Sequence, residues 1–257
     1  FVSDAAVNHV LVMFEGSTDE HIYYNDRHLF DPPVFECHTS DQVEVRPERP
    51  PTGQDGERTA RCVELYWEVD HDIFLDKGDI TNTTSYITGL FNQHATLFDN
   101  DGISVVLSEL FIWDVPSPYT CNTSQTLLNQ FQAFRDGFIG DVGQLLDYTN
   151  DGGLASFDGL CANDPDYRMG YCGIHDDYAG VPAYSFSVVV VTHEEGHILG
   201  SPHTHACAWN GNNTAIDGCG PSAGNPYEGP CSGAPIPTEG GTIMSYCHLI
   251  PVGINFN

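Results

Sequence analysis

Basic side chains are scarce in this sequence. Eight lysines and arginines stand against 36 aspartates and glutamates, and the formal net charge is −28. A surface this acidic repels the phosphates of nucleic acids and of anionic lipids, so we expect neither as a partner. The acidity suits a salty or calcium-rich medium, in which counterions screen the self-repulsion, and it equally suits the ordinary solubility of an exported protein.

Long apolar runs are missing too. No stretch of about 18 apolar residues occurs, so we expect no segment that spans a membrane. The first residues, FVSDAAVNHV, have neither the basic start nor the apolar core of a signal peptide. We therefore expect that any export signal has already been removed. The 257 residues suffice for one large domain, or for one domain with a smaller segment.

Closely spaced cysteine pairs are also absent. The nine cysteines lie at positions 37, 62, 121, 161, 172, 207, 219, 231 and 247, and no two form a CxxC pair. This spacing argues against a zinc site built from thiolates, and the number argues against a cytosolic enzyme. We expect most of the cysteines to form disulfides, with at least one left unpaired because the count is odd. The sequence thus predicts a secreted, extracellular protein.

A linker is predicted over residues 43–60, VEVRPERPPTGQDGERTA, which are rich in proline and poor in apolar side chains. We place the domain boundary near its end, so that residues 1–57 form an N-terminal extension and residues 58–257 form the main domain. Arginines lie in or beside the linker at positions 46, 49, 58 and 61. They either offer targets to a processing protease or simply keep the linker solvated.

Strand and helix patterns alternate along the chain. Strands are predicted at 7–14, 62–74, 103–113, 141–149 and 152–157. Apolar residues at helical spacing predict helices at 81–98 and 123–138. Residues 201–242, rich in glycine, proline, asparagine and serine, predict irregular loops held by disulfides. The alternation predicts an α/β or α+β domain.

Residues 185–200, SFSVVVVTHEEGHILG, allow two interpretations. Four consecutive valines favour a buried strand, whereas the histidines that follow make chemical sense only on a helix. Tertiary burial often overrides intrinsic propensity. We therefore predict a buried helix here.

The stretch HEEGHILGSPH, residues 193–203, has the spacing of a zinc site. On a helix, His193 and His197 lie one turn apart on the same face, so both imidazoles can reach one cation. Glu194 lies beside them, where a carboxylate can accept a proton from water. Catalytic zinc usually keeps three protein ligands and one open position, so a third ligand is needed.

The third ligand has to come from beyond the helix. Gly200 tolerates the left-handed conformation that ends a helix, and Pro202 prevents the helix from resuming. The chain can then turn back and bring His203 to the metal. We therefore predict a Zn2+ site formed by the three histidines of the stretch.

The sequence resembles the metzincin zinc proteases. HEEGHILGSPH matches their HExxHxxGxxH signature, and GTIMSYCH resembles their Met-turn. The flanking residues, GSPHTHACAW and GTIMSYCHL, are similar to the bacterial, reprolysin-like (adamalysin-related) branch. The resemblance implies a twisted, mostly parallel sheet with a long active-site helix and an irregular, disulfide-rich C-terminal subdomain. It also implies a C-terminal helix beyond Asn257.

The resemblance also implies roles for individual residues. His193, His197 and His203 would bind zinc, and Glu194 would be the general base and later the acid. Met244 would form an apolar floor beneath the metal. Together these roles imply endopeptidase activity.

Two positions near the motif depart from the reprolysin pattern. Reprolysins usually have aspartate directly after the third histidine, where this chain has Thr204. Tyr246 resembles the zinc-binding tyrosine of astacins and serralysins, which swings away from the metal to stabilise the oxyanion. Alternatively, Tyr246 packs beneath the site.

The stretch GGLASF contains the residues that correspond in the family to the substrate-binding edge strand. Gly153, Leu154 and Ala155 would pair antiparallel with an extended peptide beside the zinc. An ordinary edge strand would have the same sequence pattern.

Cys37 precedes the predicted linker and is a candidate latency thiol. Metzincin propeptides often place a cysteine on the zinc, because a thiolate fills the open coordination position. The residues 1–57 would then be a propeptide remnant of a zymogen. The alternative is a plain disulfide between Cys37 and Cys62.

Two short stretches resemble calcium loops. They are DNDG at 99–102 and NDGG at 150–153, and both lack the full spacing of calcium ligands. They therefore predict either bound Ca2+ or ordinary turns.

These features predict a secreted, monomeric zinc metalloendopeptidase that hydrolyses peptide bonds of extracellular proteins or peptides. One alternative is a zinc-holding binding or adhesion module without turnover. Glu194 argues against it, because a structural zinc site has no use for an unliganded carboxylate. Another alternative is a zinc amidase that acts on cell-wall peptides, which would share these residues and differ only in the cleft.

Overall fold

The computed structural model describes residues 2–4, 7–13, 21–25, 36–39, 62–175 and 183–256. The predicted linker at 43–60 and its arginines lie outside these residues. A small antiparallel sheet lies near the N-terminus, with the order β1 (Val2–Asp4), β2 (Val7–Met13), β3 (His21–Asn25). Strand β2 confirms the strand predicted there.

The main domain is built on a five-stranded sheet. Its strands are β4 (Val63–Val69), β5 (Val105–Ile112), β6 (Val142–Asp147), β7 (Gly152–Ala155) and β8 (Met169–Gly173). They lie in the order β5-β4-β6-β8-β7, and every pair is parallel except β7 with β8. The only antiparallel strand of this sheet, β7, therefore forms one of its edges, and the mixed α/β prediction is confirmed.

Helices cross between the strands. They are α1 (His71–Lys77), α2 (Ile80–Asn100), α3 (Ser124–Phe134), α4 (Ala183–Ile198) and the short α5 (Cys219–Ser222). Side chains cap two of the N-termini: Asp79 accepts from the Asn82 amide at α2, and Thr123 accepts from the Thr126 amide at α3. Such caps satisfy amides that have no partner within the helix.

Two elements differ from the sequence prediction. The strand predicted over 62–74 ends at Val69, because Asp70 accepts from the His71 amide and begins α1, and left-handed Gly78 ends that helix. A helix of seven residues, about two turns, is too short to show in an apolar pattern. Strand β8 has no predicted counterpart, since its sequence MGYCG contains two glycines and no polar alternation. It is nevertheless wholly buried between β6 and β7.

Helix α4 confirms that the valine run is helical. Val188, Val190 and Val191 are fully buried, and the helix packs on β7, β8 and α2. The lower helix propensity of valine, relative to alanine, costs less than about 0.7 kcal/mol per residue. Burying the valine side chain stabilises the fold by roughly 1.5–3 kcal/mol. Burial on all sides therefore decides the conformation.

Buried polar contacts also hold α4 in place. Nε2 of His94 on α2 lies 2.9 Å from a carboxylate oxygen of Glu195, and both side chains are fully buried. The other ring nitrogen of His94 lies 3.1 Å from the Thr192 hydroxyl. From the sheet, the Gln144 amide donates to the Val191 carbonyl at 3.1 Å. These contacts fix the rotation of α4 and so the direction of its histidines.

The C-terminal part, from residue 199 onward, is irregular and is cross-linked by Cys207–Cys231 and Cys219–Cys247. The expectation that most cysteines pair is wrong, because five of the nine are unbonded, at positions 37, 62, 121, 161 and 172. No Cys37–Cys62 disulfide forms. Both cross-links lie where the backbone has little regular structure, whereas Cys172 is buried in strand β8, which the sheet itself holds in place.

No helix among the described residues is long and apolar enough to cross a membrane.

A buried carboxylate makes stability depend on pH. Burial raises the pKa of Asp147 to about 7, with a hydrogen bond from Tyr171 opposing the rise and the charge of Asp72 adding to it. The ordinary value is 3.8, so the stability from protonated Asp147 is complete below that pH and is lost as pH rises through about 7.

We therefore expect Asp147→Asn to flatten the pH dependence. Between about pH 5 and pH 8, wild type should lose about 2 kcal/mol of unfolding free energy relative to the variant. Denaturant titrations at both pH values measure this difference, and exposed Asp99→Asn is the control. Parallel pH profiles for wild type and Asp147→Asn would contradict the assignment.

Candidate metal centre

The end of α4 brings the third histidine of the motif back to the first two. Gly200 has a φ of +94°, in the left-handed region that glycine tolerates. Its amide donates to the His197 carbonyl at 2.9 Å, and the Ser201 amide donates to that of Gly196 at 2.9 Å. The helix therefore ends as predicted, and the chain reverses to place His203 beside His197.

Three imidazoles converge at this point. Nε2 of His197 lies 3.1 Å from Nε2 of His193 and 3.2 Å from Nε2 of His203. All three side chains are fully buried. A tetrahedral zinc with Zn–N bonds of about 2.0–2.1 Å would separate two nitrogen ligands by about 3.3 Å. The spacing of the nitrogens therefore fits zinc.

The opposite nitrogen of each ring has an oxygen partner. The Nδ1 atoms lie 2.8 to 2.9 Å from Ile243 O for His193, Ser201 O for His197, and a Glu228 carboxylate oxygen for His203. A neutral imidazole that donates from Nδ1 has a lone pair at Nε2. Three converging lone pairs repel one another, and a cation between them removes the repulsion. The donor set is therefore suited to a metal ion.

Burial favours the neutral form of the first two histidines. It lowers the pKa of His193 and of His197 well below the ordinary value, and the neighbouring histidines lower both further. Neutral imidazole is the form that binds zinc.

The thiol of Cys37 faces the same point. Its sulfur lies 3.4 Å from Nε2 of His197, and Cys37 forms with the three histidines a group whose ligand atoms all lie within 4.8 Å of one another. Burial raises the pKa of Cys37 to about 12, and the charge of Glu194 contributes to the rise. Without a cation the thiol is therefore protonated. The Cys37 sulfur therefore lies beside the three histidines, and its role as a latency thiol stays a prediction.

Residues 36–39 lie along the edge strand β7, and we call them the covering segment. The segment runs parallel to β7, with Cys37 opposite Gly153. The His38 amide donates to the Gly153 carbonyl at 3.0 Å, and the Gly153 amide donates to the Glu36 carbonyl at 3.1 Å. The predicted substrate strand, Gly153 to Ala155, is thus at the sheet edge as expected, and its outer side is occupied by the chain's own N-terminal part.

Thr39 ends the covering segment beside the carboxylate of the motif. Its hydroxyl donates to Glu194 at 3.1 Å and accepts from the Ala155 amide at 2.9 Å. Glu194 is fully buried. A β-carbon at Gly153 would lie 2.3 Å from Cγ of Glu194, so only glycine leaves room for this carboxylate. The edge strand and the carboxylate are therefore packed directly together.

Met244 packs against α4 from the other side. A β-carbon at Gly196 would lie 2.6 Å from the sulfur of Met244, so the glycine inside HEEGH allows the close approach. The Met244 carbonyl accepts from the Thr204 amide at 3.1 Å. Thr204, which replaces the aspartate usual in reprolysins, is buried in this turn.

The ring of Tyr246 lies next to the histidines. It contacts His203 with ring centres 4.8 Å apart, and its hydroxyl donates to the Cys37 carbonyl at 3.1 Å. This places both Tyr246 and the covering segment against the candidate metal position.

Calcium binding finds no support. The DNDG stretch is the end of α2 and the turn after it, and the NDGG stretch is the bend before β7 and the first two residues of that strand. Neither stretch contributes to any of the three groups of metal-ligating side chains found among the described residues. Each stretch contains a turn or bend, which is the alternative that the sequence left open.

Sequence reasoning missed three residues of the site. Thr39 carries no motif, and its contact with Glu194 joins positions 155 apart. Glu228 lies in a loop sequence, NPYEGPCS, whose folding back to His203 nothing local predicts. Gly196 could have been noticed, since glycine inside a helix costs stability unless a close contact requires it.

Comparison with known proteins agrees with the motif. Residues 59–251 match the reprolysin-type family described as metallo-peptidase family M12. No curated protein matches the chain. A solved structure described as "Structure of a chaperone-substrate complex" is similar over 55% of this chain with 15% identity and a TM-score of 0.39, and the chain spans 24% of its length. A likeness of that size carries no argument about fold or function. The family match, over residues that include the whole histidine motif, shows that this chain belongs to metallopeptidase family M12.

Proposed function

We propose that the protein is a secreted zinc metalloendopeptidase. Peptidases of family M12 are zinc-dependent, which accounts for the zinc and the peptide substrate in general terms. The observation that carries the proposal is the convergence of three buried Nε2 atoms beside the buried carboxylate of Glu194. Two disulfides and a net charge of −28 support an extracellular location.

The chain's own residues have distinct tasks in hydrolysis. His193, His197 and His203 would hold Zn2+, which supplies a Lewis acid and lowers the pKa of water to roughly 7. Glu194 lies on α4 beside these histidines, so once the covering segment is removed its carboxylate could take the proton of the attacking water and deliver it to the leaving amine. That division of labour favours catalysis over a purely structural metal site.

The substrate would lie along β7. Hydrogen bonds of Gly153 and Ala155 with the covering segment indicate that the outer edge of this strand accepts an extended partner. A substrate antiparallel to β7 would run opposite to the covering segment, which is parallel to it. The covering segment would then occupy the substrate position in the wrong direction for cleavage.

We extend the proposal to latency. Residues 1–57 would be a propeptide remnant and residues 58–257 the catalytic domain, as the composition predicts. Four contacts support an inhibitory role for the covering segment: Cys37 sulfur with His197, Cys37 carbonyl with Tyr246, Thr39 with Glu194, and the backbone with Gly153. Removal of the segment would expose the metal, the base and the strand edge together.

Zinc content and chelator-sensitive cleavage test the proposed function. The purified full chain should retain one zinc per molecule, and His197→Ala should lose it. A Cys37→Ala form should cleave members of a peptide library at internal bonds, and a chelator should stop the cleavage until zinc is restored. A chain that holds zinc but cleaves no peptide in the Cys37→Ala form would make it a binding module. Cleavage confined to cell-wall peptides would make it an amidase.

Tyr246→Phe tests the tyrosine separately. If the hydroxyl stabilises the oxyanion, its removal in the Cys37→Ala background should lower kcat by about 100-fold with little change in KM. Steady-state kinetics on one peptide measures both constants, and Tyr167→Phe, whose side chain is exposed, is the control. Full turnover in Tyr246→Phe would leave the ring with a packing role only.

A further inference from the structure

We infer that Glu228 is a positioning residue for His203, and that the Cys207–Cys231 disulfide holds it in place. The inference rests on the proposed function, because it concerns how this chain orients the third zinc-binding histidine. The motif itself contains no counterpart of Glu228, which comes from a loop 25 positions after His203.

The acceptor at His203 differs in kind from those at the other two histidines. His193 and His197 each donate from Nδ1 to a backbone carbonyl, at 2.8 and 2.9 Å. His203 faces a carboxylate oxygen of Glu228 at 2.8 Å instead. A charged acceptor forms a stronger hydrogen bond and makes the ring a more basic ligand. His203 is also the one histidine of the three that lies outside α4, so no helix fixes its ring.

The backbone on both sides of the carboxylate is anchored. The Cys207 amide donates to the Glu228 carbonyl at 2.9 Å, and the Glu228 amide donates to the His205 carbonyl at 3.4 Å. The disulfide from Cys207 to Cys231 closes the loop three residues further on. A β-carbon at Gly229 would lie 2.8 Å from that of Cys207, so the two segments are in close contact.

A second histidine limits the orientation of the carboxylate. Nε2 of His205 lies 3.4 Å from the Glu228 oxygen that faces His203. The rings of His203 and His205 are stacked, with centres 5.0 Å apart and planes 15° apart. His205 is buried, and the Glu228 side chain is only 25% exposed, so both lie largely out of contact with solvent. The carboxylate is thus held between two imidazoles at one oxygen.

The electrostatic role predicts a graded response to substitution. Glu228→Gln keeps an acceptor of the same shape without the charge, and Glu228→Ala removes both. Losing such an outer partner typically lowers metal affinity by 10- to 100-fold. We expect a loss in that range for Glu228→Ala, a smaller loss for Glu228→Gln, and partial recovery in Glu228→Asp. Exposed Glu239→Gln is the matched control.

The experiment measures zinc affinity of the full chain by competition with a chromophoric chelator, together with the absorption spectrum of the Co2+ form. Affinity should fall in the stated order, and the cobalt bands of Glu228→Ala should shift. Unfolding of the metal-free protein should change little among the variants. Zinc affinity within twofold of wild type and an unchanged cobalt spectrum in Glu228→Ala would overturn the inference. So would a loss of metal-free stability large enough to account for the loss of affinity.

The disulfide is tested by a double-mutant cycle. The pair Cys207→Ser and Cys231→Ser should lower zinc affinity, and adding Glu228→Ala should cost less than it does alone. Independent, additive losses would overturn the link between disulfide and carboxylate. If wild type binds no zinc, the proposed function fails. If wild type binds zinc and the Glu228 variants bind it with the same affinity, the inference fails and the proposed function stands.

Discussion

Replacing Cys37 by alanine is expected to raise the peptide-cleaving activity of the full chain by about 100-fold. In the proposed latent form, the Cys37 sulfur fills the position opposite the three histidines, and its carbonyl engages Tyr246. If the covering segment is displaced in about 1% of wild-type molecules and in most Cys37→Ala molecules, the active fraction rises by that factor. Initial rates on a fluorogenic peptide, at equal zinc content, measure the change.

The control for this activation is Cys161→Ala. Cys161 is unbonded like Cys37 but exposed, so its removal should leave the rate unchanged. Adding Thr39→Val to Cys37→Ala should raise the rate further, because Glu194 loses the hydroxyl that occupies it. An inactive Cys37→Ala protein that becomes active only after residues 1–57 are cut away would show that the covering segment inhibits without its thiol. Measurable and equal activity in wild type and Cys37→Ala, unchanged when residues 1–57 are cut away, would rule out latency.

Glu194→Gln is expected to lower kcat/KM by 10²- to 10⁴-fold in the Cys37→Ala background, the usual contribution of a general acid-base group. Zinc content should stay at the wild-type level, because the metal site is made by the histidines. The amide keeps the size of the side chain in its tight contact with Gly153 but cannot accept the proton. Steady-state kinetics and metal analysis of the same preparation give both results.

The adjacent Glu195→Gln is the matched control. Glu195 is as buried as Glu194, but it faces His94 on α2 rather than the histidines of the motif. Its neutralisation should cost up to several kcal/mol of stability and leave most of the turnover of the folded enzyme. Comparable losses of turnover in both variants would mean that Glu194 acts through the packing of α4. Loss of zinc in Glu194→Gln would make it part of the metal site.

Local sequence was sufficient for those features that depend on spacing along one element. The separation of His193 from His197 places them on one helix face, and Gly200 ends the helix in the left-handed conformation that the prediction required. The α/β class, from the alternation of helices and strands, and the edge position of β7, from the family resemblance, were also predicted correctly. Short elements with weak periodicity were not, as α1 and β8 show.

Contacts between distant parts of the chain could not be read from the residues. The position of Cys37 was predicted from a resemblance, but the parallel course of the covering segment and the contact of Thr39 with Glu194 were not. The number of disulfides was overestimated, because bonding depends on which cysteine α-carbons approach within about 7 Å in the fold. The roles assigned to the three histidines, Glu194 and Tyr246 remain proposals that the variants above test.

The sequence by itself determined the chemistry available at this site: three imidazoles, one carboxylate, and the glycine that lets the chain turn back. These follow from residue types and from helix geometry, which act over a few positions. Only the tertiary structure decided what each group faces. It aims the Nδ1 atom of His203 at Glu228 and places the covering segment over Glu194, because such contacts depend on how the loops and strands pack rather than on their spacing along the chain.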